Sequence, residues 1–249
     1  MIQNPILKVL STFSRHNVKA LLMGGQACIL YGAAEFSRDS DFLVLANQEN
    51  LDHLRSVLQE LQAECIAVPP FEVQYLRKGH AVHFRCQHPD VAGLRIDIMA
   101  VLRGSDPFEA LWQRRQTIQL PDGAVPVPVL SLPDLVQAKK TQRDKDWPMI
   151  RRLLEADYLA TVAPTPEQIL FWLRECRTPE ILWRLCQTYP DQATLIAAQR
   201  PAIATALSPK TEAVTVVLEQ EEREERVLDA AYWKPLRQEL ELLRHDMNR

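Results

Sequence analysis

The chain has 249 residues, 47% of them hydrophobic and 24% charged, with a formal net charge of −3. This suits a globular protein of one large or two modest domains and gives no global charge for a nucleic-acid or membrane surface. Five cysteines (Cys28, Cys65, Cys86, Cys176, Cys186) are scattered, odd in number and without a CxxC pair, which reads as reduced thiols in a cytoplasmic protein rather than a disulfide scaffold.

The N-terminal segment lacks the cationic start, apolar core and small-residue cleavage site of a signal peptide. The longest uncharged stretch, between Lys19 and Glu35, is shorter than the ~20 residues a spanning helix needs, so no membrane segment is expected. Residues 3–14 place Ile6, Leu7, Val9, Leu10 and Phe13 on one helical face. Val18 to Met23 reads as a short buried strand, and Gly24-Gly25 turns the chain into a second apolar helix through about Tyr31. Asp41 to Leu45 is a strand, Asn50 to Glu64 an amphipathic helix, and Ala81 to Cys86 and Leu94 to Val101 are two further strands.

Helix starts are then legible from cap residues followed by proline: Asp106-Pro107, Ser131-Leu132-Pro133, Thr165-Pro166, Thr178-Pro179 and Ser208-Pro209. From residue 131 onward the pattern is helix after helix with no convincing strand. The segment Val125 to Val129, with Pro126 and Pro128, is the best domain boundary. Glu219 to Arg226 is biased in composition and reads as a solvated helix face. The fold class expected is α+β: a short mixed sheet flanked by helices over 1–130, then an all-helical region over 131–249.

Asp39 and Asp41 enter one strand two residues apart, so both side chains point to one face and can converge on one ion. Asp97 lies in Arg95-Ile96-Asp97-Ile98-Met99, with its isoleucine neighbours pointing the other way. A carboxylate in the middle of a buried strand is costly unless paired or bound to metal. Magnesium prefers oxygen ligands, and phosphoryl chemistry often uses two ions held by shared carboxylates. Gly24-Gly25, between a strand and a helix, lets a phosphate approach the backbone and the helix N-terminus. Each feature has a bland counterpart: a tight turn, a turn or surface aspartate, an Asp97 paired with Arg85 or Arg95. Together they point to a nucleoside triphosphate site.

Gly24-Gly25, then Ser37-Arg38-Asp39-Ser40-Asp41-Phe42, then Arg95-Ile96-Asp97-Ile98 resembles the nucleotidyltransferase superfamily. That group holds polymerase-beta-type enzymes, aminoglycoside nucleotidyltransferases and toxins of abortive-infection systems. Leu132 to Asp146, LPDLVQAKKTQRDKD, is similar to the last of these. The resemblance covers roughly residues 18–150. It implies Asp39, Asp41 and Asp97 as ligands of two magnesium ions, with Asp97 on the acceptor side. It implies Gly24, Gly25, Ser37 and Arg38 at the triphosphate. Lys139 would contact phosphate or nucleotide, with Arg143, Lys145 and Asp146 bordering the site, so that 131–150 complete it. The activity implied moves a nucleoside monophosphate from a triphosphate to a hydroxyl of tRNA or protein, and the toxin resemblance also implies an antitoxin partner. The alternatives are an antibiotic-modifying enzyme or a non-catalytic nucleotide-binding or interaction module. Glu35 stands where many relatives carry a basic residue, and Ser40 where an apolar one is usual.

Other clusters are read as structural. His80, His83, Cys86 and His88 do not share a strand face as zinc ligands would, although His83 or Arg85 could face the nucleotide. The basic run Lys139 to Arg152 is either an RNA-binding surface or a solvated face. Trp112, Trp172, Trp183 and Trp233 are expected in the core.

Overall fold

The computed structural model describes residues 4–120, 126–208 and 212–247. They form an α+β fold with two compact units, residues 1–138 with 232–249, and residues 139–231.

The first unit opens with α1 (Asn4–Arg15), whose buried stripe is Ile6, Val9, Leu10 and Phe13. Asn17, at a left-handed φ of 52°, stops the helix and lets the chain turn back. There follow β1 (Ala20–Met23), α2 (Gly24–Leu30), β2 (Asp39–Val44), α3 (Gln48–Glu60), β3 (Ala63–Cys65), α4 (Val73–Lys78), β4 (Val82–Cys86), a 3-10 turn (Pro89–Val91), β5 (Arg95–Met99), α5 (Phe108–Gln113), β6 (Gln116–Ile118), β7 (Val127–Val129) and α6 (Leu132–Lys139). The strands form one seven-stranded mixed sheet in the order β3-β4-β5-β2-β1-β7-β6. β2 runs parallel to β5, and β1 parallel to β7; the other neighbours are antiparallel.

Alternation divides the central strands into two faces. Phe42, Ile96, Ile98, Val82 and Phe84 are buried, and Phe13 of α1 stacks on Phe42 with centroids 4.2 Å apart. The opposite face carries Asp39, Asp41, His83, Arg85, Arg95 and Asp97, none of them fully buried.

Three local readings change. The helix expected to reach Glu64 ends at Glu60. Asn47 caps its start by accepting from the Asn50 amide at 2.8 Å, and Gln62, at φ 47°, ends it and launches β3. Within the segment Val125–Val129, Val127–Val129 forms strand β7, where no strand is expected from the sequence, and Val125 lies outside the described residues. Val127 and Val129 are both buried, an alternation that the flanking prolines hide. Pro107 takes the cap position before α5, while Asp106 pairs with Arg114 at 2.7 Å.

The second unit holds α7 (Asp146–Ala160), α8 (Pro166–Glu175), α9 (Pro179–Thr188), α10 (Pro190–Ala197), α11 (Pro201–Ala206) and the first part of α12 (Glu212–Met247). Thr165 caps α8, accepting from the Gln168 amide at 3.3 Å. Thr178 precedes α9 but donates its hydroxyl to Glu155. Pro209 lies outside the described residues. α10 and α11 also begin with proline, at Tyr189-Pro190 and Arg200-Pro201.

Trp172 is buried and its indole N–H donates to Asp157 at 2.7 Å, but Trp183 is 43% exposed and is not a core residue. The run Glu219–Arg226 is not wholly solvated. Glu221 accepts from Arg177 at 2.7 Å and from Arg200 at 3.0 Å, and both arginines are buried. All five cysteines are thiols outside any disulfide. No described helix is long and apolar enough to cross a membrane.

Candidate active site

The parallel pairing of β2 with β5 decides how the carboxylates meet. Asp41 lies opposite Asp97 and Asp39 opposite Arg95, while on the other side of β5 His83 lies opposite Asp97. Laterally paired residues share a sheet face, so β2, β5 and β4 bring Asp39, Asp41, Asp97, Arg95 and His83 to one open surface. The buried even-numbered residues of β2 and β5 hold that surface flat from behind. Ser40, fully buried between the two aspartates, has no hydrogen-bond partner for its hydroxyl, a cost that an apolar residue there would avoid.

Gly24 and Gly25 close the site from the end of β1. Met23 pairs with Asp41, so the next residue is delivered directly against that carboxylate. Gly24 has φ +65°, and a Cβ there would overlap the Asp41 carboxylate; a Cβ on Gly25 would overlap the Ser37 side chain. Both glycines are required by close approach. The helix they open is only seven residues long, so bare backbone rather than a helix dipole is what this turn offers an anion. Buried Gln26 holds the next loop by donating to the Ser37 carbonyl at 3.0 Å, and the Ser37 hydroxyl bonds the Asp39 carbonyl at 3.3 Å. Arg38 is exposed.

Asp97, with 14% of its side chain exposed, takes part in two ion pairs. Its Oδ1 lies 2.7 Å from Arg95 Nε and 2.8 Å from His83 Nδ1. Burial pushes this carboxyl up, but the bonds from His83 and Arg95 outweigh it and hold the group below the usual carboxylate range. Hydrogen bonding to Asp97, opposed by burial and aided by the charges of Asp39 and Asp41, raises the Arg95 guanidinium above its ordinary value. Of the two partners weighed for Asp97 in sequence, Arg95 is the one that pairs with it. The missed partner, His83, is set opposite Asp97 by the register of the β4–β5 hairpin.

Three carboxylates on one open face are a donor set of hard oxygens, the kind that magnesium or manganese takes. Among the described residues no three His, Cys, Asp or Glu side chains are already gathered as ligands around one point, and Asp97 is turned onto Arg95 and His83.

The remaining candidates assemble separately within the second unit. Asp146 is buried and accepts from Lys139 Nζ at 3.0 Å, Thr141 Oγ1 at 2.6 Å and Arg143 Nε at 2.7 Å. Burial pushes its carboxyl up, and the charges and bonds of these neighbours bring it below the ordinary range. Lys145 is the residue before α7. The turn is further tied by Asp229, which accepts from the Gln142 amide at 2.9 Å, and by Arg226, which donates to the Gln142 carbonyl at 3.0 Å. Of the basic run, Lys139, Lys140 and Arg143 are thus each paired with an acid, Lys140 with Glu175 at 2.8 Å.

No family model and no curated protein matches this chain. Solved structures similar to it include the antibiotic-resistance factor ANT(2'')-Ia in solution, at 13% identity over 78% of this chain and 94% of that one, with a TM-score of 0.37. The same factor in complex with adenylyl-2''-tobramycin matches at 13% identity over 87% and 95%, with a TM-score of 0.34. An antigenic nucleotidyltransferase-like protein from Paracoccidioides brasiliensis matches at 18% identity over 82% and 91%, with a TM-score of 0.41. Identities and TM-scores this low carry no conclusion about activity.

Proposed function

We propose that the protein is a metal-dependent nucleotidyltransferase that moves a nucleoside monophosphate from a triphosphate to a hydroxyl. The observation that carries this reading is the sheet face itself. Asp39, Asp41 and Asp97 share one face of two adjacent parallel strands, with side-chain-free backbone packed against Asp41. Three acids on one face are a poor choice for stability alone, because like charges repel. They suit a site that must hold divalent cations and a polyphosphate.

On this reading Asp39, Asp41 and Asp97 hold the ions. When bound, two magnesium ions neutralise phosphate charge and make the acceptor hydroxyl more acidic. Gly24 and Gly25 leave the backbone open to phosphate, while the Ser37 hydroxyl and the Arg38 guanidinium supply donors from the loop that leads into β2. Asp97, a carboxylate ionised at neutral pH, receives the proton of the incoming hydroxyl. We assign the acceptor to tRNA or protein on the resemblance of residues 132–146 alone; the small-molecule, antibiotic-type acceptor is the competing assignment.

The test is to incubate the full chain and its Asp41→Asn variant with each labelled triphosphate, magnesium and, separately, tRNA, cell protein and aminoglycosides. Label transferred by the parent and not by the variant supports the proposal, and the labelled fraction names the acceptor. No label in any fraction, with no triphosphate-dependent rise in melting temperature, would leave a non-catalytic module.

A further inference from the structure

Resting on that assignment of the metal site, we propose that Arg95 is its resident counter-cation, and that a divalent ion takes Asp97 only by displacing the Arg95 guanidinium from it onto His83.

The geometry is a triangle. Arg95 Nε lies 2.7 Å from Asp97 Oδ1, Arg95 Nη2 lies 3.0 Å from His83 Nδ1, and His83 Nδ1 lies 2.8 Å from the same Asp97 oxygen. No neutral imidazole satisfies all three sides. With a proton on Nδ1 the ring donates to Asp97, but it then faces the Arg95 N–H donor against donor. Without that proton Nδ1 accepts from Arg95, but its lone pair then faces the carboxylate. The conflict disappears if Asp97 leaves: Nδ1 simply accepts from Arg95. A divalent cation that captures Asp97 therefore leaves behind a satisfied Arg95–His83 pair, and the displaced guanidinium keeps a partner.

Charge and access support the same sequence of events. Arg95 sits opposite Asp39 in the ladder and two residues from Asp97 on the same face, so it occupies the negative field that a metal would occupy. A guanidinium does not give up its proton, so it yields the site only by moving. Its side chain is 39% exposed, against 14% for Asp97, and has room to move. A structural pair elsewhere in the first unit looks different. Arg114 grips Asp134 with two bonds, 2.8 Å from Nε and 2.7 Å from Nη2, and Asp134 also accepts from the Ser131 hydroxyl. The remaining bond, Arg114 Nη1 to Asp106 at 2.7 Å, likewise sets a donor against an acceptor, so nothing in that cluster is in conflict.

The experiment is calorimetric titration of the full chain with manganese, which reads metal affinity without turnover, for the parent, Arg95→Gln and Arg95→Lys. Arg95→Gln should bind roughly three- to fivefold tighter, the size of one part-exposed ion pair removed. Arg95→Lys, which keeps the charge without the planar fork, should fall between. Asp41→Asn added to Arg95→Gln should abolish the gain and so place the ion at the cluster. Equal or weaker manganese binding by Arg95→Gln than by a parent that does bind would overturn the proposal while leaving the metal site standing. If neither the parent nor Arg95→Gln binds manganese, the metal-site assignment fails and this proposal fails with it.

Discussion

Two ion clusters in this molecule are built from similar residues and behave as opposites. In the first unit Asp39, Asp41 and Asp97 share an open sheet face with Arg95 and His83, and the acids outnumber the fixed cations. In the second unit Arg177 and Arg200 are buried against Glu221, and Arg200 also donates to the Leu173 and Cys176 carbonyls at 2.6 and 2.7 Å, closing the end of α8. Burial, reinforced by Arg200, lowers the Arg177 guanidinium from its ordinary value, the mark of cations forced together for the sake of packing. The lesson is one of balance and direction. A structural ion network spends its donors on backbone carbonyls and a shared carboxylate inside the fold, whereas the sheet-face cluster leaves a surplus of acids on the sheet surface.

The largest expected effect tests the outward cluster. Asp41→Asn should cut nucleotidyl transfer by at least about a hundredfold, by loss of a metal ligand, and leave the melting temperature within about a degree or two. Retained transfer, read from labelled acceptor, would put this cluster in the same class as the other one. The converse holds for Arg200→Ala, which removes one of the two arginines on Glu221 and strands two carbonyls. It should destabilise by about 3–5 kcal/mol in urea titrations. A loss below about 1 kcal/mol would remove the contrast between the two.

Gly24→Ala sharpens the comparison by striking fold and site together. The left-handed φ and the overlap with Asp41 should cost about 1–3 kcal/mol and depress transfer as well, measured on the same preparation. The smallest effect is expected at a surface cluster, where Glu60 accepts from Lys8, Arg15 and His16. Hydrogen bonds from His16 and Arg15 lower the Glu60 carboxyl to about 2. Because the folded value is depressed, its contribution is complete above the unfolded value near 4.5 and is lost as pH falls towards 2. Glu60→Gln should therefore cost up to about 1 kcal/mol at pH 7 and nothing measurable at pH 2.

How far the sequence discloses this arrangement depends on length and period. β4 and β5 announce themselves because apolar residues alternate over five positions, which isolates Asp97, and the same period of two places Asp39 with Asp41 in β2. β3, β6 and β7 are three residues each, too short for a period to show, and β7 carries a proline at its centre. The proline-started helices at 166 and 179 are visible because Thr precedes each proline. Those at 190 and 201 follow Tyr and Arg, which give no such signal. Within the site, the Arg95–Asp97 contact is implicit in a two-residue spacing. His83 depends on the register of a hairpin, which no local pattern dictates. Asp146 reads as one acid in a charged run, and only the fold reveals it as the buried anchor that gathers Lys139, Thr141 and Arg143.

The two-faced build of β2 and β5 has a consequence for inheritance. The residues that hold the sheet together and the residues that face the solvent alternate along the same few positions, yet scarcely touch one another. A lineage can therefore lose an aspartate and keep a stable protein, or rearrange Phe42 and Ile98 while the carboxylates stay in place. Catalysts and silent binding modules built on this sheet would be separated by a handful of outward substitutions, with nothing in their cores to tell them apart.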